Sequence, residues 1–427
     1  YIVAMIEALK EAVLDKAGIK MQGRGDCEML SDLILGQTNE FISYNTLRRM
    51  YGFAPEVKPR VTTLDVLAQF CGYASFQQFC LQHHRFERWN RQLDLVHRVE
   101  QCSPSQCIKY IQEAPGNLER VELATQIACA LIDAKRWNHF SEFCQGIHSS
   151  IKGQDYMAQL YFGNRIGLRL GNTRGQISNA LMHPSVVSLI CTININYSSV
   201  NGFHGNWWER INRTRQNTEI TCLIKCLLQT KRLLLGLPIK RGVGGQILAN
   251  DSKHLHPILR SRVIATLWLE GRRDFEQLWE DVHGRQPRGL LKLSSVHEMN
   301  MLALMTGDIS LAQNIMKRSF SMSNIPYYQL HHLNVFFLLQ SFIEIARGRD
   351  DIGTKFLLQF DKSQIRIGYK QILHLVYLRL KLEVTRSDKR LYPKVHSDLS
   401  KQIVKVSLPY FSESWIKTYF NQEKTNL

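Results

Sequence analysis

The sequence predicts an all-α protein: a small N-terminal module of short helices, followed by a long α-solenoid of helical hairpins. Three observations carry this. Apolar residues recur at helical spacing through most of the 427 residues. Between Asp26 and Gln82, stretches of helix length are cut by Gly52, Pro55, Pro59 and Gly72. Further on, a glycine or basic residue followed by asparagine, aspartate or an aromatic returns at intervals of roughly 35 residues.

Taken in order, Tyr1 to Ile19 reads as an amphipathic helix (Ile2, Ile6, Leu9, Val13, Leu14), with Met5 as a natural start just ahead of it. It lacks the charged, apolar and cleavable segments of a secretion signal, so a cytoplasmic protein is expected. Asp26 can cap a helix with Met29, Leu30, Leu33 and Ile34 on one face. Ser43 can cap a second helix, Tyr44 to Tyr51, ended by Gly52. After the extended Pro55–Pro59 loop, Thr62 or Thr63 starts a third helix that turns Leu64, Leu67, Ala68 and Cys71 inward. Gly72 and Tyr73 break the chain before a fourth, with Phe76 and Phe79. Short helices joined by tight turns are the grammar of a helix-turn-helix.

The string Ile42-Ser43-Tyr44-Asn45-Thr46-Leu47-Arg48-Arg49-Met50-Tyr51-Gly52-Phe53, then Pro59, Thr63-Leu64-Asp65-Val66-Leu67-Ala68 and Gly72-Tyr73-Ala74-Ser75-Phe76-Gln77-Gln78-Phe79, carries a resemblance over about residues 5 to 82. It resembles an N-terminal module found on many otherwise unrelated bacterial proteins of unknown function. More remotely it is similar to the helix-turn-helix of phage repressors. That resemblance implies that Tyr44, Asn45, Arg48 and Arg49 lie on the outer face of a recognition helix. Asn45 would read an adenine edge, the arginines would meet guanine or phosphate, and Lys58 and Arg60 would hold the backbone. Charge argues the other way. Phosphate neutralisation dominates DNA affinity, and here Arg48, Arg49, Lys58 and Arg60 are balanced by Glu28, Asp32, Glu40, Glu56 and Asp65. A protein-docking or structural role stays open.

After a helical linker at 83–117, the stretch 118–427 reads as the solenoid. Its junctions are Lys135-Arg136-Trp137, Gly171-Asn172, Gly236-Leu237-Pro238, Gly271-Arg272-Arg273-Asp274, Gly307-Asp308 and Gly348-Arg349-Asp350. Glycine suits the left-handed position after a helix, and Asp or Asn caps the next. The period matches tetratricopeptide-type repeats, although their Trp-x-x-Leu-Gly consensus is poorly kept, so the array is TPR-like by period and pattern. Roughly eight pairs would fit. An irregular insertion near 190–205 (Ile193, Asn194, Ile195, Asn196, Tyr197, Ser198, Ser199, Asn201) is β-branched, Asn-rich and reads as a long loop or irregular unit. Stacked pairs present a concave surface. Trp207, Trp208, Arg210, Arg213 and Arg215, with Lys240 and Arg241, are the expected exposed binding residues.

Composition bounds the function. A 44% hydrophobic share supports a full core, and no stretch is apolar and long enough to span a membrane. The ten cysteines are scattered without zinc or disulfide spacing, which predicts reduced thiols and no metal. The net charge of +17 lies outside the N-terminal module, notably from Arg210 to Lys292 and over the last eighty or so residues, so an acidic partner belongs to the solenoid. Arg241-Gly242-Val243-Gly244-Gly245 lacks the Lys-Ser/Thr ending of a P-loop and reads as a flexible connection. His83, His84, His254, His256, His331 and His332 have no carboxylate at ligand spacing and read as exposed or capping. The Arg-Gly-Asp triplet at 24–26 is a chance match. Neither a catalytic constellation nor a cofactor is expected.

Two functions fit. In the first, a bacterial regulatory or adaptor protein contacts DNA or a partner through the helix-turn-helix-like module and binds a peptide or protein on its solenoid. In the second, the chain is a pure interaction scaffold, with the first module as a structural cap and no DNA binding.

Overall fold

The structure is a computed structural model that describes residues 2–55, 57, 59–82, 99, 101–114, 116–173, 177–248, 255–284, 291–320 and 325–420. It is all-α, and the described residues hold no strand beyond an isolated bridge between Leu291 and Phe320. The chain divides into two compact units, 1–98 and 99–427.

The first unit contains α1 (Ile2–Ala17), α2 (Arg24–Thr38), α3 (Tyr44–Met50), α4 (Val61–Phe70) and α5 (Phe76–Gln82). They close on a core of Met5, Leu9, Val13, Leu30, Ile34, Leu47, Leu64, Leu67 and Phe79. Ser43 caps α3 by accepting the Thr46 amide at 3.3 Å. The other caps differ from expectation. α2 begins at Arg24, so Asp26 lies inside its first turn and reaches back to accept the Gln22 and Gly23 amides at 2.7 and 2.8 Å. α4 begins at Val61, with Arg60 preceding it. The inward stripe of α2 is Cys27, Leu30, Ser31 and Ile34, which leaves Met29 and Leu33 48% and 43% exposed. Both stripes have helical spacing and share Leu30 and Ile34, so periodicity alone did not choose between them.

In the second unit, α6 (Pro104–Glu113) packs on α7 (Asn117–Asp133) and α8 (Trp137–Lys152), and α9 (Tyr156–Gly171) packs on α7. Farther on, two rows form. The inner row is α11 (Thr218–Leu234), α13 (Pro257–Leu269), α15 (His297–Thr306), α17 (Leu330–Ala346) and α19 (Ile367–Val384), each against the next. Outside it lie α12 (Val243–Leu248), α14 (Phe275–His283), α16 (Ile309–Met316), α18 (Asp350–Leu358) and α20 (Leu391–Val406). Junction chemistry explains the turns. Gly236, Gly271, Gly307 and Gly348 all have φ between 66° and 96°, a region that disfavours other residues. Asp274 and Asp308 then cap α14 and α16 through the Gln277 and Leu311 amides.

The hairpins are fewer than the period allowed, because residues 178–211 form none. Gly171-Asn172 therefore leads into no partner helix. The expected loop is instead a buried unit: Pro184–Val186, a π-helical turn at Val187–Cys191, a 3-10 turn at Tyr197–Ser199, then α10 (Phe203–Ile211). Val186, Val187, Ile190, Cys191, Ile195, Tyr197 and Val200 are all buried, since so apolar a segment gains more inside the array than over it. Glycines admit it. A Cβ at Gly163 would stand 2.6 Å from Ile193 Cβ, and one at Gly171 would stand 2.7 Å from His204 Cε1. At Gly167 a Cβ would overlap Asn194, and at Gly368 it would overlap the Ile195 carbonyl. Every fourth residue of one face of α9 is thus glycine, and the segment lies in the resulting groove.

A C-terminal strap, 408–420, crosses the far ends of the inner helices. Helix C-termini leave carbonyls without intrahelical partners. The Tyr410 amide donates to Leu234 O at 3.2 Å, Trp415 Nε1 to Met305 O at 2.9 Å and the Tyr419 hydroxyl to Leu304 O at 2.6 Å.

Candidate ligand-binding site

Most residues of α13, α15 and α17 are buried, so a polar side chain there has protein groups rather than water as its available partners. Arg262 of α13 and Glu298 of α15 meet at 2.5 Å, with side chains 5% and 3% exposed. The same carboxylate accepts the Tyr197 hydroxyl at 2.7 Å and the Tyr369 hydroxyl at 2.8 Å, while Ser261 Oγ accepts the Glu298 and Met299 amides. Burial pulls the Arg262 guanidinium down, but Glu298 and the two tyrosines outweigh it and hold the group well above its ordinary value. The buried segment, α13, α15 and α19 are joined at this one carboxylate.

Beside the network lies a cavity of about 260 Å³. Its walls include residues at the N-terminal ends of four helices: Tyr156 and Gln159 at α9, Asn217 and Glu219 at α11, His256 and Leu259 at α13, and Arg366 and Tyr369 at α19. Helix N-termini carry partial positive charge. Lys152, His256, Arg262 and Arg366 face one carboxylate in the lining, Glu219. Burial lowers Lys152 below its usual value, against the pull of Glu219, and burial likewise lowers His256. Arg262 Nε is buried and has no hydrogen-bond partner among the described residues.

A second, neighbouring cavity of about 340 Å³ shares Arg366 with the first. Tyr156 and Tyr328 meet edge to face at 5.0 Å, and Arg366 Nη2 donates to the Tyr328 carbonyl at 3.2 Å. Met157, Tyr161 and Tyr327 border this cavity and are 43%, 45% and 71% exposed. Its cations are Arg165 and Arg366, and no carboxylate lines it. His331 lines its inner side.

His331 and His332 are buried and not, as expected, exposed or capping. With His297 they form a cluster with ring centroids 4.5 to 5.6 Å apart, and none of the six ring nitrogens has a hydrogen-bond partner among the described residues. Burial, reinforced by Arg366, holds all three well below the ordinary imidazole range. No group of three or more His, Cys, Asp or Glu among the described residues is placed to hold a metal ion. His256 caps α13 through the Ile258 amide, whereas His83, His84 and His254 lie outside the described residues.

The residues proposed from the sequence fare differently. Trp207 and Trp208 are fully buried, not surface, because α10 packs between α9 and α11, and Trp207 Nε1 donates to Leu181 O at 3.1 Å. Arg210 binds the Ile177 carbonyl and Asn179 Oδ1, while Arg213, Arg215, Lys240 and Arg241 are exposed. The glycine-rich segment is no free connection: Glu270 accepts the Gly242 and Gly244 amides at 3.1 and 2.8 Å as α12 begins. In the first unit, Arg48 donates to Asn45 Oδ1 at 3.4 Å and to Phe53 O at 3.3 Å, so these two side chains hold each other. Tyr44 is half-covered by the Arg24 guanidinium, 4.9 Å from its ring; Arg49 and Arg60 are exposed. Lys58 lies outside the described residues.

Sequence reading missed the cavity because its residues come from six separate segments. Glu298 left a signal, as the one acid or base, histidine aside, in the run 293–305. No family model, curated protein or solved structure matches the chain. All ten cysteines are free thiols, and no described helix is long and apolar enough to cross a membrane.

Proposed function

We propose that the chain is a non-enzymatic adaptor or regulator whose helical array binds a peptide or protein segment bearing an acidic group. The observation that carries this is the groove bordered by Met157, Tyr161 and Tyr327, whose only formal charges are those of Arg165 and Arg366. Exposed tyrosines take an apolar residue at low entropic cost, the Met157 thioether adapts to its shape, and two guanidinium groups orient a carboxylate. Selection of a random-peptide display library on the full chain tests it. Enriched peptides should pair a carboxylate with an apolar residue, and enrichment should vanish on Arg165→Glu. Equal enrichment on both proteins would refute the reading.

The N-terminal module contacts DNA or a second partner in this reading. A role without DNA contact gains support from the Arg48–Asn45 hydrogen bond, which occupies two of the side chains a recognition helix would use. Gel-shift titration of random duplex DNA separates the two: DNA binding requires retardation that weakens in an Arg49→Ala, Arg60→Ala variant.

A further inference from the structure

We infer that the 260 Å³ cavity between the N-terminal ends of α9, α11, α13 and α19 is a binding site for a small oxyanion, a phosphate or a carboxylate, separate from the peptide groove. Three independent features point to that chemistry. Lys152 and Arg366 reach the cavity from different helices, and the only acid among its lining residues is the exposed Glu219. Arg262, 4% exposed and paired with Glu298, adds a buried guanidinium to the same lining. Finally, three of the four helix N-termini are capped by their own side chains, Asp155, Asn217 and His256, while α19, opening at Arg366, has no side-chain cap. Amide groups at such an end favour an anion.

The volume suits an inorganic phosphate or a short dicarboxylate rather than a polymer. Asn217 and Ser188 line the cavity beside the cations, whereas the Gln159 amide and the Thr192 hydroxyl donate to backbone carbonyls of the protein itself. A ligand held there would tie α9 and α11 to α13 and α19, elements far apart in sequence.

Thermal unfolding of the full chain, titrated with sodium phosphate or sodium succinate against sodium chloride at equal ionic strength, tests the site. The midpoint should climb with the logarithm of concentration for at least one of the two oxyanions and not for chloride. Phosphate alone or succinate alone identifies the anion. Lys152→Met keeps the aliphatic stem and removes one charge-assisted hydrogen bond, so the apparent Kd should weaken about 10-fold, and Lys152→Arg should restore it. Identical curves in phosphate, succinate and chloride would overturn the proposal, as would unaltered affinity in Lys152→Met. Peptide selection is a separate readout, since Lys152 does not line the groove and Arg165 does not line the cavity.

Discussion

Replacing Glu298 with glutamine changes neither volume nor shape, but it withdraws the single negative charge from a buried cluster. In the wild type the carboxylate accepts from Arg262 at 2.5 Å, Tyr197 at 2.7 Å and Tyr369 at 2.8 Å. Hydrogen bonds to charged groups are worth about 1.5–3 kcal/mol each, but the larger effect is on Arg262, which would remain cationic with no counter-charge at 5% side-chain exposure. Breaking one side of such a pair costs about 3–5 kcal/mol. The double variant Arg262→Met, Glu298→Gln removes the stranded charge and should recover a large part of that loss. Urea unfolding followed by circular dichroism measures both, with the midpoint falling sharply for the single change at constant slope. A single variant within about 1 kcal/mol of wild type, or a double variant whose loss equals the sum of the two singles, would refute the buried ion pair as described.

Acid should destabilise the fold early. His297, His331 and His332 are held well below the ordinary value by burial, and His204 and His283 are lowered to about 4 by burial as well. Below about pH 6.5 the unfolded chain binds protons that the folded chain refuses, so stability is complete above that pH. It is lost as pH falls, by up to about 1.4 kcal/mol per unit for each histidine; melting points recorded from pH 7.5 to 5 check this. Gly167→Ala forces a Cβ onto Asn194 and should cost about 1–3 kcal/mol, whereas Gly36→Ala in α2 meets nothing within 4 Å and should gain about 0.4–1 kcal/mol. Chemical denaturation of the two variants decides the contrast. Trp415→Ala empties the strap and frees the Met305 carbonyl, for an expected loss of about 3–5 kcal/mol by the same measurement.

Local chemistry was the legible part of the fold. Gly271, Gly307 and Gly348 announce their turns because left-handed backbone is a property of single residues, and the caps Asp274 and Asp308 act over three positions. What depends on distant partners was not legible. Trp207 and Trp208 look like an exposed aromatic pair beside arginines, and only the packing of α9 and α11 over α10 buries them. The 190–205 segment has loop composition, and its burial follows from glycines at 163, 167 and 171, whose four-residue spacing on α9 marks a groove only through the segment that fills it. The cavity was invisible for the same reason: Lys152, Glu219, Arg262 and Arg366 are ordinary surface or core letters until six segments converge.

A stack in which each repeat touches only its neighbours unfolds piecemeal and tolerates the loss of a unit. The buried segment and the strap forbid that here. Tyr197 is bonded to a residue 101 positions away and Trp415 to one 110 positions away, so each closes a long loop of chain. Such closures cost chain entropy before they return any contact, which slows folding and makes the second half of assembly wait on the first. Removing one hairpin from the middle would misalign both closures at once. The array should accordingly rise and fall in a single transition, and its evolution should favour substitution within units over gain or loss of them.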